Sequence, residues 1–434
     1  IQGDPNQPEP SPKRKLGRNS LWKHFHAQDI LVMPDKWEYP WFAAWDTAFQ
    51  MAAIAKVDCE FAKRQLMLLT REWYMHPKGQ LPAYEWSFDH SNPPVHAWSA
   101  LEVYKEQIAQ EGVGDKSFLE GIFQKLLINF TWWVNQIGLD GKNVFQGGFL
   151  GLDNIGVFDR SADLPTGGRI IQSDGTAWMA MYCLNMLEIA LELAPANPIY
   201  DDIAYKFVEH FLLITDAMNN IGDQHASLWN EREGFYFDVL ELPDGSIIPL
   251  KIRSLVGLLP LCAVLVVEKS KLSARFLNMV SRLLKYRPDL AKNIPDLDIS
   301  ESSHLALLSI VNRNQMEHLL TEMLAENGFL SNYGVRSVSK YHEHQPYVLR
   351  VGERDYRVDY SPGESTTEMF GGNSNWRGPV WFPVNYLLIQ SLKKYSEFFG
   401  DDFKVECPTG SGRKLSLAEA SGERSTRMVG LFQR

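Results

Sequence analysis

The chain is poor in the features that announce many common activities. It has four cysteines in 434 residues, Cys59, Cys183, Cys262 and Cys407, far apart and without a C-x-x-C spacing. That pattern argues against a disulfide framework or a zinc site and suits free thiols in a reducing, cytoplasmic compartment. Basic residues are outnumbered, 43 Lys and Arg against 53 Asp and Glu, for a net charge of −10. A surface for nucleic acid or anionic membrane is not expected from that balance. No run has the length and apolarity of a membrane span, and no secretory signal opens the chain. No Gly-rich phosphate loop follows a strand pattern, and strands do not alternate with helices as a parallel sheet requires. There is no fixed-period repeat of the kind that builds a solenoid.

Aromatic residues are abundant: 12% of the chain, including 13 Trp. They are densest at Met33–Gln50 (MPDKWEYPWFAAWDTAFQ), where Trp37, Tyr39, Trp41, Phe42 and Trp45 surround one acid, Asp46. The Ala-rich run AAWDTAFQMAAIAKV predicts a helix, with Pro40 just ahead of its first residue and Asp46 in its first turn. An acid there can simply complement the helix dipole. Indole and phenol rings around one carboxyl group also suit a sugar, the rings covering C–H faces and the acid meeting a hydroxyl or the glycosidic oxygen.

Residues 1–30 are polar and Pro-rich and read as a leader or strap; 31–434 read as one domain. Helices are predicted at Glu60–Tyr74, Val95–Glu111, Ser117–Ile137, Asp201–Met218, Leu255–Glu268, Ser270–Leu284, His304–Val311, Asn314–Ala325, the mostly apolar Val380–Phe399, and Ser416–Leu431. Gly175–Leu193 is apolar nearly all round and predicts an interior helix. Leu228–Pro249 alternates around two turns and predicts a β-hairpin. Consecutive helix pairs with the richest loops at alternate junctions suggest an all-α ring of helical hairpins.

In such a ring the loops of one end would meet around a funnel. The chemistry-bearing stretches are Trp37 and Asp46, Tyr84-Glu85-Trp86, Phe149–Asp159, Asp174 and Asn373–Trp381. Each has a plainer reading: Glu85 in an ion pair, Asp153 and Asp159 as turn residues, Asp174 as a cap, Arg377 as a tether. His342-Glu343-His344 has the look of a metal pair but lacks further ligands, so no metal and no cofactor are expected.

Taken together, WEYPWFAAWDTAF, REWYMHPKGQLPAYEW, NPPVHAW, FQGGFLGLDNIGVFDR, DGTAWMAMY and NSNWRGPVWFPVNYLL resemble glycoside hydrolase family 63. The likeness is to its bacterial-type branch, related to mannosylglycerate hydrolases and processing α-glucosidases, and it runs from about Gln2 to the C-terminus. It implies an (α/α)6 toroid and an inverting glycosidase acting on an α-linked small oligosaccharide or glycoside. The family's general acid falls on Asp46, and its Trp-Arg-Gly-Pro block on Trp376–Pro379, expected to line a sugar subsite. Trp37, Trp41, Tyr84, Glu85, Trp86 and Asp153 fall on loops expected to bind substrate. An acid held among indoles is desolvated, which would keep it protonated for donation.

The resemblance also implies a general-base Glu beyond the Trp-Arg-Gly-Pro helix, and no match for its loop or for a closing helix is evident. Glu406, Glu419 and Glu423 lie in the tail in a different setting, and Glu364 and Glu368 precede the block. The chain therefore reads as lacking the final helix, with further N- and C-terminal segments of a parent chain expected to pack against it. A non-catalytic carbohydrate-binding remnant is the alternative. A sugar epimerase, which would need a His pair, is a weaker one.

Overall fold

The structure, a computed structural model, describes residues 12–135, 151–160, 162–219, 227–294, 297, 304–369 and 374–433. The chain divides into two compact units. One comprises residues 1–137, 148–151 and 192–197; the other comprises 138–147, 152–191 and 198–434. Phe149 and Asn373, both singled out in the sequence, lie outside the described residues.

The first unit is helical. After a single turn, α1 (Pro12–Lys15), come α2 (Ala44–Ile54), α3 (Cys59–Leu68), α4 (His96–Glu111) and α5 (Lys116–Val134). Asp58 and Asp115 cap α3 and α5, each accepting the backbone N–H three residues on, at 2.8 and 2.9 Å, so an orphan donor of the first turn is satisfied. Gly112, at φ 80°, ends α4 in a conformation that favours glycine. Trp22, from the Pro-rich leader or strap, is fully buried and packs with Phe42, Ala44, Leu69, Tyr74 and Phe88. Phe25 stacks on Phe88 at 4.0 Å between centroids.

In the second unit, β1 (Arg169–Ile171) leads into α6 (Ser173–Leu193), whose residues are buried on nearly every face, and α7 (Ile199–Asn219) follows. The predicted hairpin is two hairpins in succession. The strands β2 (Trp229–Asn230) and β3 (Phe235–Tyr236) form one, and β4 (Asp238–Glu241) and β5 (Ile247–Leu250) the other; β4 also pairs antiparallel with β1. Two expected helices are absent. Leu255–Glu268 forms two short 3₁₀ turns and then β6 (Val264–Glu268), and His304–Val311 forms its antiparallel partner β7 (Leu305–Ser309). Both runs are apolar, short and rich in residues that serve either periodicity, and pairing with a segment about 40 residues away decides for strand.

Beyond β6 lie α8 (Ala274–Tyr286) and the turn α9 (Pro288–Ala291); beyond β7 lies α10 (Arg313–Met323), opened by an Asn312–Gln315 capping box. Two small hairpins follow, β8 (Leu330–Ser331) with β9 (Gly334–Val335), and β10 (Tyr347–Val351) with β11 (Arg354–Val358). The second packs Tyr347, Leu349, Val351 and Tyr356 against a core of Val157, Phe158, Ile170, Leu240, Leu250, Ile252 and Val358. The helix α11 (Phe382–Phe399), the hairpin β12 (Lys404–Glu406) and β13 (Lys414–Ser416), and α12 (Leu417–Val429) complete the unit. The chain is thus mostly helical, but with one three-stranded and five two-stranded sheets among the described residues rather than one hairpin insertion. Among the described residues no helix is long and apolar enough to cross a membrane.

Candidate active site

In the first unit the aromatic stretch stays out of the helix longer than its composition suggests. Ala43, at φ −138° and ψ 128°, bridges antiparallel to Tyr84, and Ala44 N–H donates to the Ala83 carbonyl at 2.8 Å. The helix therefore begins at Ala44, four residues beyond Pro40, and Asp46 is its third residue. A carboxylate there faces the positive end of the helix dipole. Glu85 N–H donates to Phe42 O at 3.3 Å, and a second bridge, Tyr84 to Ser87, folds Glu85 and Trp86 into a tip.

That tip is fixed from beneath. Asn19, in the left-handed region at φ 64°, donates from Nδ2 to Trp86 O at 3.3 Å and accepts Phe88 N–H at 2.8 Å. The rings it carries are open to solvent. Trp86 is 55% exposed and lies edge-on to half-buried Trp41 at 6.0 Å, and Trp41 in turn meets Tyr39 at 5.4 Å. The structure thus brings Trp41, Tyr84, Glu85 and Trp86 together beside the start of the Asp46 helix. Trp37 stands on a neighbouring turn, 81% exposed. The turn is held by Asp35, whose carboxylate accepts N–H bonds from Glu38 and Trp37, and these hold its pKa below the usual range. Trp45, adjacent to Asp46, lies against Gly151, where a Cβ would meet the indole at 2.7 Å.

The remaining sequence candidates lie in the second unit. Asp153 is half-buried between Leu152, at φ 57°, and Asn154, which is fully buried. A non-glycine residue at positive φ costs on the order of 1–3 kcal/mol and persists only where its surroundings enforce it. The turn is closed locally by Ile155 N–H, which donates to Leu152 O at 3.1 Å, and beside it stands Asn154, a buried residue that sequence reasoning missed. Its Oδ1 accepts Trp376 N–H at 2.6 Å, and its Nδ2 donates to Asn375 Oδ1 at 3.1 Å and Ser365 Oγ at 3.2 Å. Its carbonyl accepts from Arg377 Nε at 2.7 Å.

Trp376 and Arg377 are nearly closed off from solvent. The Trp376 indole stacks on Trp381, 3.9 Å between centroids and 4° from parallel. Arg377 donates from all three guanidinium nitrogens to main-chain carbonyls, those of Asn154, Gly156 (2.9 Å) and Arg357 (2.9 Å). Burial without a carboxylate bonded to it pulls the Arg377 pKa down to about 10. Gly378, at φ 146°, is required by space as well, since a Cβ would meet the Tyr360 ring at 2.7 Å. The block that the resemblance places at a sugar subsite therefore holds main chain in this structure, with Arg377 in the tether arrangement.

Asp174 is fully buried and held in a bidentate pair with Arg160, whose Nη2 also reaches Asp238 at 3.3 Å. Asp238 accepts Ser173 N–H at 2.8 Å, so it caps α6 from a strand. Burial pushes the Asp238 pKa up to about 6 against the pull of Arg160. His342 is engaged through both ring nitrogens, Nε2 with Arg253 N–H at 2.9 Å and Nδ1 with Gln345 O at 2.8 Å. Among the described residues no group of three or more His, Cys, Asp or Glu side chains is placed to hold a metal ion. The tail glutamates have local duties. Glu406 accepts Gly412 N–H, Glu419 closes the capping box of α12, and Glu423 pairs with Arg427 and Arg413.

Comparison with known proteins gives two family matches. Residues 39–148 match the mannosylglycerate hydrolase MGH1-like glycoside hydrolase domain, and residues 302–407 match the glycosyl hydrolase family 63 C-terminal domain. The uncharacterized protein YMR196W of Saccharomyces cerevisiae is 52% identical over 445 residues, covering 99% of this chain. The chain spans only 41% of that relative's length. Two crystal structures of the family 63 mannosylglycerate hydrolase from Thermus thermophilus share the fold. The Tris complex superposes with a TM-score of 0.51 at 15% identity, covering 96% of this chain and 92% of that one. The complex with Tris and D-glycerate gives 0.52 at 14% identity, covering 96% and 91%.

Proposed function

The chain belongs to glycoside hydrolase family 63, and we propose that it cleaves an α-glycosidic bond of a small oligosaccharide or glycoside, of the α-glucosidase or mannosylglycerate-hydrolase type, with inversion. The observation that carries this reading is the surface of Trp41, Tyr84, Glu85 and Trp86 beside the helix that begins with Asp46. Open ring faces match the C–H patches of a pyranose, and a carboxyl group in the first turn of a helix is held rigidly for proton transfer. In this reading Asp46 protonates the leaving oxygen while a base elsewhere draws a proton from the attacking water. The (α/α)6 toroid is the architecture that goes with it. Four buried free thiols support a reducing, cytoplasmic setting.

A second assignment of the acid has its own observation. The strained Leu152 and the fully bonded Asn154 flank Asp153, and strain of this kind concentrates where a side chain must be aimed.

The test is glycoside hydrolysis by Asp46→Asn and Asp153→Asn, on a panel of α-linked gluco- and manno-disaccharides and on α-D-glucosyl fluoride. Fluoride leaves with little help from a proton, so loss of the acid is felt on the disaccharide and much less on the fluoride. Asp46→Asn is expected to lower disaccharide turnover about 10²–10⁴-fold. If Asp153→Asn shows that split instead, the acid is Asp153. Appearance of the β-anomer first, by proton NMR, checks inversion. Sugar binding with no product from any substrate, unchanged by either substitution, would leave the binding-remnant reading.

A further inference from the structure

We propose that Asn154 is a positioning residue for Asp153, acting through a buried clamp with Asn375 and Arg377 that fixes the backbone on which the Asp153 carboxylate stands. The inference rests on the reading of Asp153 as a substrate-facing carboxylate. The clamp itself is read from geometry within the second unit.

Asn154 has two acceptor lone pairs and two donor hydrogens on its side chain, and the orientation of its amide is forced. Trp376 N–H needs an acceptor, so Oδ1 must face it at 2.6 Å, which turns Nδ2 toward Asn375 Oδ1 and Ser365 Oγ. Asn375 is set in the same way. Its Oδ1 also accepts Arg377 N–H at 2.9 Å, and its Nδ2 donates to the carbonyls of Ser361 and Gly363, each at 2.7 Å. Two asparagines thus tie three separate stretches of main chain together, around residues 154, 362 and 376. Arg377 then returns to the first of these, bonding the carbonyls of Asn154 and Gly156. Buried polar networks with every member satisfied specify one arrangement, because any displaced group is left without a partner.

The chain just ahead of this anchor is the strained one. Gly151 is at φ 105° and Leu152 at φ 57°. Ile155 N–H closes this turn on Leu152 O at 3.1 Å, and the first residue beyond Leu152 that is held by its side chain in the clamp is Asn154. Asp153 lies between the strain and the anchor, half-buried. Five long-range bonds on one asparagine, with no substrate contact required of it, are what an aiming device for the preceding residue needs. Misplacement of a reacting group by about 1 Å costs roughly 10²-fold in rate.

The test compares Asn154→Ala, Asn154→Asp and Asp153→Asn with the unchanged protein on α-D-glucosyl fluoride and on the best disaccharide of the panel. Asn154→Asp keeps the acceptor for Trp376 N–H and removes both donors. The proposal expects Asp153→Asn to be severely impaired. It expects Asn154→Ala to lose roughly 10²-fold in kcat with KM within about threefold, and Asn154→Asp to fall between Ala and wild type. Cooperative unfolding followed in parallel shows that the variants are folded. Asn154→Ala and Asn154→Asp with wild-type kcat, beside an impaired Asp153→Asn, would overturn the positioning role. So would losses confined to KM or to the unfolding transition, which belong to a merely structural residue. Wild-type activity in Asp153→Asn would instead overturn the reading of Asp153 on which the proposal stands.

Discussion

Two groups of tryptophans, equally conspicuous in the sequence, have opposite surroundings. Trp37 and Trp86 present most of their rings to solvent, with Trp41 half-buried beside Trp86. Trp376 is 3% exposed and lies flat against Trp381, whose Nε1 donates to the Asn375 carbonyl at 3.0 Å. The first group is largely open to solvent, whereas Trp376 is enclosed. Aromatic density near a charged residue is therefore not by itself a sugar-site signal. The open face is what a pyranose needs, and exposure depends on what the chain packs against each ring.

The sharpest way to break this contrast is to remove the buried ring. Trp376→Ala is expected to destabilise the fold by about 3–5 kcal/mol, measured by chemical denaturation, because a stacked, enclosed indole leaves a cavity. A loss of binding with no loss of stability would place Trp376 with the open group instead.

A second test concerns the interior of the same unit. Asp238 has a folded-state pKa of about 6, above the ordinary carboxylate value of 3.8, with burial as the largest cause, the Arg160 charge opposing it and the Asp174 charge adding to it. Between those values the folded chain holds a proton that the unfolded chain has released. The contribution of this group to stability is therefore full below about pH 4 and is lost as pH rises through about 6. Asp238→Asn should flatten that slope, by on the order of 2 kcal/mol, in unfolding curves taken from pH 4 to 8. An unchanged slope would show that Arg160 keeps Asp238 ionised throughout.

The smallest expected effect is at the most exposed ring. Trp37→Ala should leave stability within about 0.5 kcal/mol of wild type. If the ring stacks on substrate, KM rises about 3–10-fold with kcat retained. An unchanged KM would remove Trp37 from the binding surface.

Much of the helical framework was legible in the sequence, because the long helices declare themselves by period. The caps Asp58, Asp115 and Asn312, two residues ahead of the predicted starts, and Ser416 were found in the structure. The failures have physical causes. Ala43 belongs to an Ala-rich run, but its bridge to Tyr84 keeps it extended, and that partner lies 41 residues away. The strands β6 and β7 look helical in isolation because the ladder that fixes each is made with the other. For the candidate site, the residue types around Asp46 were visible, whereas the wiring around Asp153 was not. An Asn in a Gly-rich loop reads as a turn residue. The partners that make Asn154 a hub are more than 200 positions downstream, beyond the reach of local pattern.

That separation bears on how the chain comes into being. Asn154 and Asn375 are 221 residues apart, and a ribosome adding about 5–20 residues per second needs roughly 10–45 seconds to make the second after the first. Throughout that interval the amide of Asn154 lacks its Asn375 and Trp376 partners, and the turn at Leu152 has its local bond from Ile155 N–H but not the clamp beyond it. The loop that carries Asp153 is thus finished late in biosynthesis, when the Trp-Arg-Gly-Pro segment arrives to close it.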